Sequence, residues 1–317
     1  MNSKVLFKDR GVDVTQDLLS AIKRCELITA DLEHKNPPLV CADELVPNLD
    51  SLPNISIGLI TFRRDNLLNL GLNSLVYQNY PKDKIEIIII NDGTGPSTRN
   101  IVKKYSKLVA VKYYEIDLKD KPYPYYYDMR RKNFLIKNSM HEIFMLTQAE
   151  IVHLPNNLRQ VAAAFQNHDG HILVKPRLIE QRHECKGQVP GVNGDVLGQI
   201  NFDNLFAAAY SGKGFMWSGI RWSGSFGSAM RRSSYNELGG YEEDVQISIE
   251  AEMYSRILKR GWKIIELNKA HMVHLEHERD FKGDKWLDAV KRVCNTPMVA
   301  NHNKEWGIIK EARRIDL

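Results

Sequence analysis

The chain has 317 residues, of which 43% are hydrophobic and 26% charged, with a formal net charge of +5. That is the make-up of a soluble globular protein, with room for one large domain plus appendages or for two ordinary domains. No apolar run approaches the roughly 18 residues needed to cross a bilayer. Residues 1–10 lack the apolar core of a secretory signal, so a cytoplasmic protein is expected. Cys25, Cys41, Cys185 and Cys294 are scattered, with no CxxC pair to mark a zinc or redox site. The mild positive charge suits a phosphate-bearing donor, an anionic glycan, a nucleic acid or a membrane surface, and selects none of them.

Residues 14–32 carry apolar positions at helical spacing, a face fit to dock on a neighbour, and prolines at 37, 38, 47 and 53 make the next stretch a loop. At Ile55 the register changes. ISIGLITF is a strand rich in β-branched residues, a helical pattern runs to Tyr77, and IEIIIIND is a second strand ending at Asp92-Gly93. Segment 97–107 is helical, 112–116 is a third strand, and 129–139 is a helix bearing basic residues. HEIFMLTQAEIVH is a strand running into a polar turn, followed by a helix over 155–165. Residues 181–214 read as a long loop, 262–267 as a late strand, and the tail after Asp284 as helix. Alternating strands and helices predict a mostly parallel sheet covered on both faces, with ligands beyond the carboxyl ends of its strands.

Asp92 falls at such an end, where a carboxylate beside glycine can accept a hydrogen bond from a nucleobase or ribose; Asn-Asp-Gly is also ordinary turn chemistry. Glu150, after the strand FML, is either an oxygen ligand for a divalent cation beside a diphosphate or a solvated cap acid. On the helix around 250–256, Glu250 and Glu252 point about 200° apart, so one of them reaches a substrate. Glu252 and Arg256 stand at i,i+4, the spacing of a surface ion pair. Trp217 and Trp222 can stack on a sugar or plug a core. His271, His274 and His277 sit at odd offsets and cannot share one strand face, and no HExxH spacing supports a zinc hydrolase. KPYPYYY at 121–127, followed by Arg130-Arg131-Lys132-Asn133, mixes aromatics with cations, as a nucleic-acid or sugar site would.

Taken together, IEIIIINDGTG and FGSAMRRSSYNELGGYEEDVQISIEAEMYSR resemble the inverting family 2 glycosyltransferases of the GT-A fold, over about residues 55–280. The resemblance implies an α/β, Rossmann-like sheet at 54–280, a helical extension with a proline-rich linker at 1–53, and a helical tail at 281–317. It implies that Asp92 contacts the donor base, uracil, and that Thr61 and Arg63 hold the nucleotide; Asn91 replaces the first acid of the family's Asp-Asp-Gly-Ser. Gln148 and Glu150 overlie the family's Asp-x-Asp, which makes Glu150, with His274 and the supplementary candidate His153, ligands of Mg²⁺ or Mn²⁺ and leaves a neutral amide at Gln148. Glu250 is the implied base, six residues before Arg256, with Ile249 where a paired acid would stand and Asp244 as second choice. Lys132, Asn133 and Arg232 fall on the donor side. Trp217, Trp222, Gly240 and Glu252 fall on the acceptor side, Glu252 either orienting the acceptor or bonding Arg256. The implied activity is transfer of a sugar from a nucleoside diphosphate, UDP foremost, to a hydroxyl of a glycan. The alternatives are a bacteriophage-type transferase acting on hydroxymethylated bases in DNA, and a non-catalytic nucleotide-sugar-binding module.

Overall fold

The computed structural model describes residues 16–41, 43–62, 64–93, 95–117, 128–181, 214–217, 227–244, 251–275, 298–301 and 305–317. Helix α1 (Gln16–Lys35) is followed by β1 (Leu39–Cys41), β2 (Ile55–Thr61), α2 (Asp65–Val76), β3 (Ile85–Asn91), α3 (Pro96–Ser106) and β4 (Ala110–Ile116). Then come α4 (Asp128–Lys137), β5 (Ile143–Gln148), β6 (Ile151–His153), α5 (Asn157–Asn167), β7 (Ile172–Gln181) and β8 (Gly214–Trp217). The described chain ends with β9 (Ser228–Arg231), α6 (Arg232–Glu237), α7 (Ala251–Lys259), β10 (Lys263–His274) and β11 (Ala312–Arg314).

All of these strands join one sheet, in the order β1-β10-β7-β9-β5-β2-β3-β4-β11, with β6 added to β10 and β8 to β7. Strands β4, β3, β2 and β5 are parallel neighbours, as are β1, β10 and β7, and β9 joins the two blocks antiparallel to both. The chain leaves β2 toward β3 and β4 on one side and returns to pair β5 on the other. This reversal opens a crevice beyond the carboxyl ends of β2 and β5.

Strand β3 shows why the centre is so apolar. Ile85, Ile87 and Ile89 enter the core on one face with α2, α3 and α5, while Ile88 and Ile90 enter the other with α4, α6 and α7. A strand covered on both faces needs an unbroken apolar run, not alternation. Glu86 is admitted at its start because Lys112 lies 2.8 Å away and Ser56 and the Met140 amide donate to it. Burial raises its pKa, and these three partners outweigh that effect to hold the carboxyl below its ordinary range.

Three expectations change. β7 occupies residues for which the sequence reading offered no element, and the late strand runs on as β10 through His271 and His274, past an irregularity between Leu267 and His271. The described part of the tail carries β11, not helix, because the outer edge of β4 offers unpaired backbone groups that 312–314 satisfy. The N-terminal segment also adds β1 to the edge of β10, while α1 is tied down by Asn36 on the Trp262 carbonyl (2.7 Å) and Tyr254 on Glu33 (2.9 Å). Among the described residues no helix is long and apolar enough to cross a membrane.

Candidate functional site

The site begins where the β2, β3 and β5 ladders run one residue past their strands. The Asp92 amide donates to the Thr61 carbonyl (3.2 Å), and the Ala149 amide donates to the Ile60 carbonyl (3.2 Å). Thr61, Asp92, Gln148 and Glu150 therefore stand along one rim. The end of β10 is brought to the same rim, since the Leu275 amide donates to the Glu150 carbonyl (2.9 Å) and His274 pairs with Ile151 of β6. His274 Nε2 lies 4.0 Å from Glu150 Oε1. Two residues about 120 positions apart in sequence are thus neighbours.

Asp92 is buried and receives Arg131 Nη1, while Arg131 Nη2 donates to Asp128 (3.2 Å). The Asp92 Oδ1 has no hydrogen-bond partner among the described residues. A buried acceptor left in that state fits a donor group on a ligand, since otherwise its desolvation would go uncompensated. Burial, and secondarily the charge of Arg64, push the Arg131 guanidinium down to about 9, so it remains charged at neutral pH. Arg64 opens α2, and its Nη1 donates to Glu150 Oε1 at 2.6 Å.

Arg64 and Arg131 were missed by sequence reasoning, which chose their neighbours Arg63 and Lys132. The one available signal was spacing: Asp128 and Arg131 at i,i+3 on a helix that crosses the end of β3.

Several expected site residues are placed elsewhere. Arg232 follows β9, and because Arg231 pairs with Ile143 at the start of β5, it lies at the opposite rim, donating to the Ser139 carbonyl (2.5 Å). Antiparallel pairing of β9 is what carries it away from the rim of Asp92 and Glu150. Lys132 is fully buried, 3.2 Å from Asp128 and over the Tyr241 ring. Asn133 exchanges hydrogen bonds with the Tyr241 backbone and reaches Glu243. Both serve the packing of α4. Gly240 has φ +70°, and a Cβ there would lie 2.5 Å from Asn133 Oδ1 and 2.8 Å from the Trp306 ring, so its lack of a side chain serves internal packing, not a sugar.

Glu252 gives both oxygens to Arg256, at 2.6 and 2.8 Å, and is buried, which rules it out as an acceptor contact and selects the bond to Arg256. His153 is buried in hydrogen bonds with Thr147 and Asn157 and is no cation ligand. The backbone of Trp217 pairs with Leu178, in register with Met272 beside His274. Arg63, Trp222, Glu250 and His277 lie outside the described residues.

The donor set does not by itself make a divalent-cation site. Among the described residues no three His, Cys, Asp or Glu side chains come together to hold a metal. Gln148 contributes a neutral amide at best, and Glu150 Oε1 already carries a guanidinium. A fixed positive charge on a carboxylate opposes a second cation there.

Residues 56–185 match the family described as glycosyl transferase family 2. Over 60 residues the chain is 32% identical to a probable glycosyltransferase, YdaM, of Bacillus subtilis, covering 19% of this chain and 14% of that protein. Over 62 residues it is 31% identical to validoxylamine A glucosyltransferase of Streptomyces hygroscopicus, covering 20% and 14%. The chain thus spans about a seventh of the length of these curated relatives. Among solved structures, S. aureus TarS 1-349 in complex with UDP superposes with a TM-score of 0.53 at 15% identity, over 76% of this chain and 64% of that one. At that identity the likeness concerns the fold, which is GT-A.

Proposed function

We propose, from the match of residues 56–185 to glycosyl transferase family 2, that the chain transfers a sugar from a nucleoside diphosphate to an acceptor hydroxyl with inversion. The observation that carries this reading is the meeting of Asp92, Arg131, Arg64, Glu150 and His274 at the rim where strand order reverses between β2 and β5. A carboxylate with one unsatisfied oxygen suits the imide or ribose of a nucleoside, and UDP is the nucleotide we assign; the TarS fold neighbour is itself a UDP complex. Guanidinium groups a short distance away suit its phosphates.

In the reaction, the acceptor oxygen bonds to the anomeric carbon as the bond from that carbon to the diphosphate breaks. The diphosphate departs with the electron pair, and the acceptor proton passes to a carboxylate, for which Glu250, one residue before α7, is the candidate. The acceptor we favour is a glycan hydroxyl. UDP at about 100 times its Kd should add about 2.7 kcal/mol to native-state stability, seen as a raised melting temperature. Donor hydrolysis should follow, and fall at least about 100-fold in Glu250→Gln. A UDP-induced shift without hydrolysis of any UDP-sugar would leave a binding module; no shift with any nucleotide would end the proposal.

A further inference from the structure

The Arg64–Glu150 ion pair lies in the crevice just assigned to the donor. The Arg64 side chain is 28% exposed, whereas that of Glu150 is 2% exposed. Arg64 is therefore fixed at Nη1 on a buried carboxylate while part of its side chain stays open to solvent. It stands at the N-cap of α2, and its own side chain makes no capping hydrogen bond there. The helix adds its own partial positive charge there. Arg64 is also close enough to Arg131 for its charge to be felt there. Like charges brought together on an enzyme are relieved by an anion between or beside them, and a diphosphate is the anion this reaction releases. Gln148, neutral and half-buried at the end of β5, removes the acid that would otherwise compete for the guanidinium.

Resting on the glycosyl-transfer reading, we infer that Arg64 is the catalytic cation that pairs with the departing diphosphate, and that this charge, not a bound divalent metal, is what donor binding requires. Glu150 then holds Arg64 in place before the nucleotide arrives. As the bond from the anomeric carbon to the phosphate oxygen breaks, the oxygen takes the electron pair and its added negative charge meets the guanidinium fork. Arginine suits this because it stays charged and offers two parallel donors. No proton leaves it, so the acceptor proton still goes to the base.

The test uses the full chain and two probes, UDP and uridine, by titration calorimetry in EDTA and again with Mn²⁺. Wild type should bind UDP in EDTA and gain less than about threefold from Mn²⁺. Arg64→Ala should lose about 10- to 100-fold in UDP affinity, as expected for a charged hydrogen bond, with uridine affinity unchanged. Arg64→Lys should recover part of the loss. Urea midpoints of both variants check that the fold persists, and Arg64→Lys keeps the charge should Arg64→Ala unfold. UDP binding that is lost in EDTA, restored by Mn²⁺ and indifferent to Arg64→Ala would overturn the inference while leaving the glycosyltransferase reading intact. Failure of wild type to bind either UDP or uridine in both buffers would overturn both.

Discussion

Arg256 has no exposed surface, and its hydrogen-bond partners among the described residues are all acceptors: both oxygens of Glu252, the Leu238 carbonyl at 2.5 Å and the Gly240 carbonyl at 2.7 Å. One side chain thereby locks α7 to the Gly239-Gly240 turn, whose two glycines have φ of +73° and +70°. The turn is held from its other side by Asn301, which donates to the Gly239 and Tyr241 carbonyls. Removing one partner of a buried pair leaves the other charge uncompensated, at a cost of about 3–5 kcal/mol. Glu252→Ala should show that loss in urea unfolding, and a change under about 1 kcal/mol would mean the pair is solvated after all. The spacing of Glu252 and Arg256 was plain in the sequence, but their burial was not. An i,i+4 pair looks the same on a wet face as in a core, and the deciding carbonyls come from residues 16 and 18 positions away.

At the scale of elements, β6 shows how a short strand can be both structural and pH-sensitive. It has three residues, pairs with the end of β10, and helps place Glu150 beside His274. His153 closes it, with its ring against Thr147 (2.9 Å) and its amide donating to Ser74 (3.0 Å). Burial pushes the imidazole down from 6.5 to about 3, so the folded protein keeps it neutral. Between those values the unfolded chain binds a proton that the native state refuses. Stability is therefore lost as pH falls from about 6.5 toward about 3, at about 1.4 kcal/mol per unit. Comparing urea midpoints at pH 7 and pH 5, His153→Gln should flatten the decline by about 2 kcal/mol relative to wild type. An unchanged slope would show that His153 is protonated in the native state.

The elements themselves differ in how far the sequence reveals them. β2 and β3 stand out because strands covered on both faces are apolar without interruption. β7 hides because ILVKPRLIEQ is broken by Lys175, Pro176 and Arg177, which only the neighbouring β10 makes tolerable. β11 is three residues long and exists because β4 offers it an edge. The candidate site follows the same division. Asp92 and Glu150 are legible as acids at strand ends, a local property. The partners Arg64 and Arg131, and the removal of Arg232 to the far rim, depend on how α4 and β9 pack across the sheet.

Over the whole molecule, positive charge is not gathered at the crevice alone. Helix α3 runs from the β3 rim back to the start of β4, and its far end presents Lys103, Lys104 and Lys107 around a hollow of about 430 Å³ completed by Tyr77, Asn100 and Leu108. Lys82 sits over the Tyr77 ring, 5.0 Å from its centre. This basic face lies a strand's length from Asp92, about 20 Å along β3. If this face is independent of the crevice, a duplex held there by its phosphates is a bystander to sugar transfer and not its acceptor. Weak duplex binding is still expected, and with three or four phosphate contacts it should fall roughly 100-fold between 50 and 200 mM salt. Replacing Lys103, Lys104 and Lys107 together by glutamate should abolish that binding while leaving the UDP-induced rise in melting temperature unchanged. Duplex DNA should likewise leave donor hydrolysis unaffected. If DNA instead displaces UDP, or the triple variant loses the UDP response, the two faces are one site, and a nucleic-acid acceptor becomes the better reading of the charge.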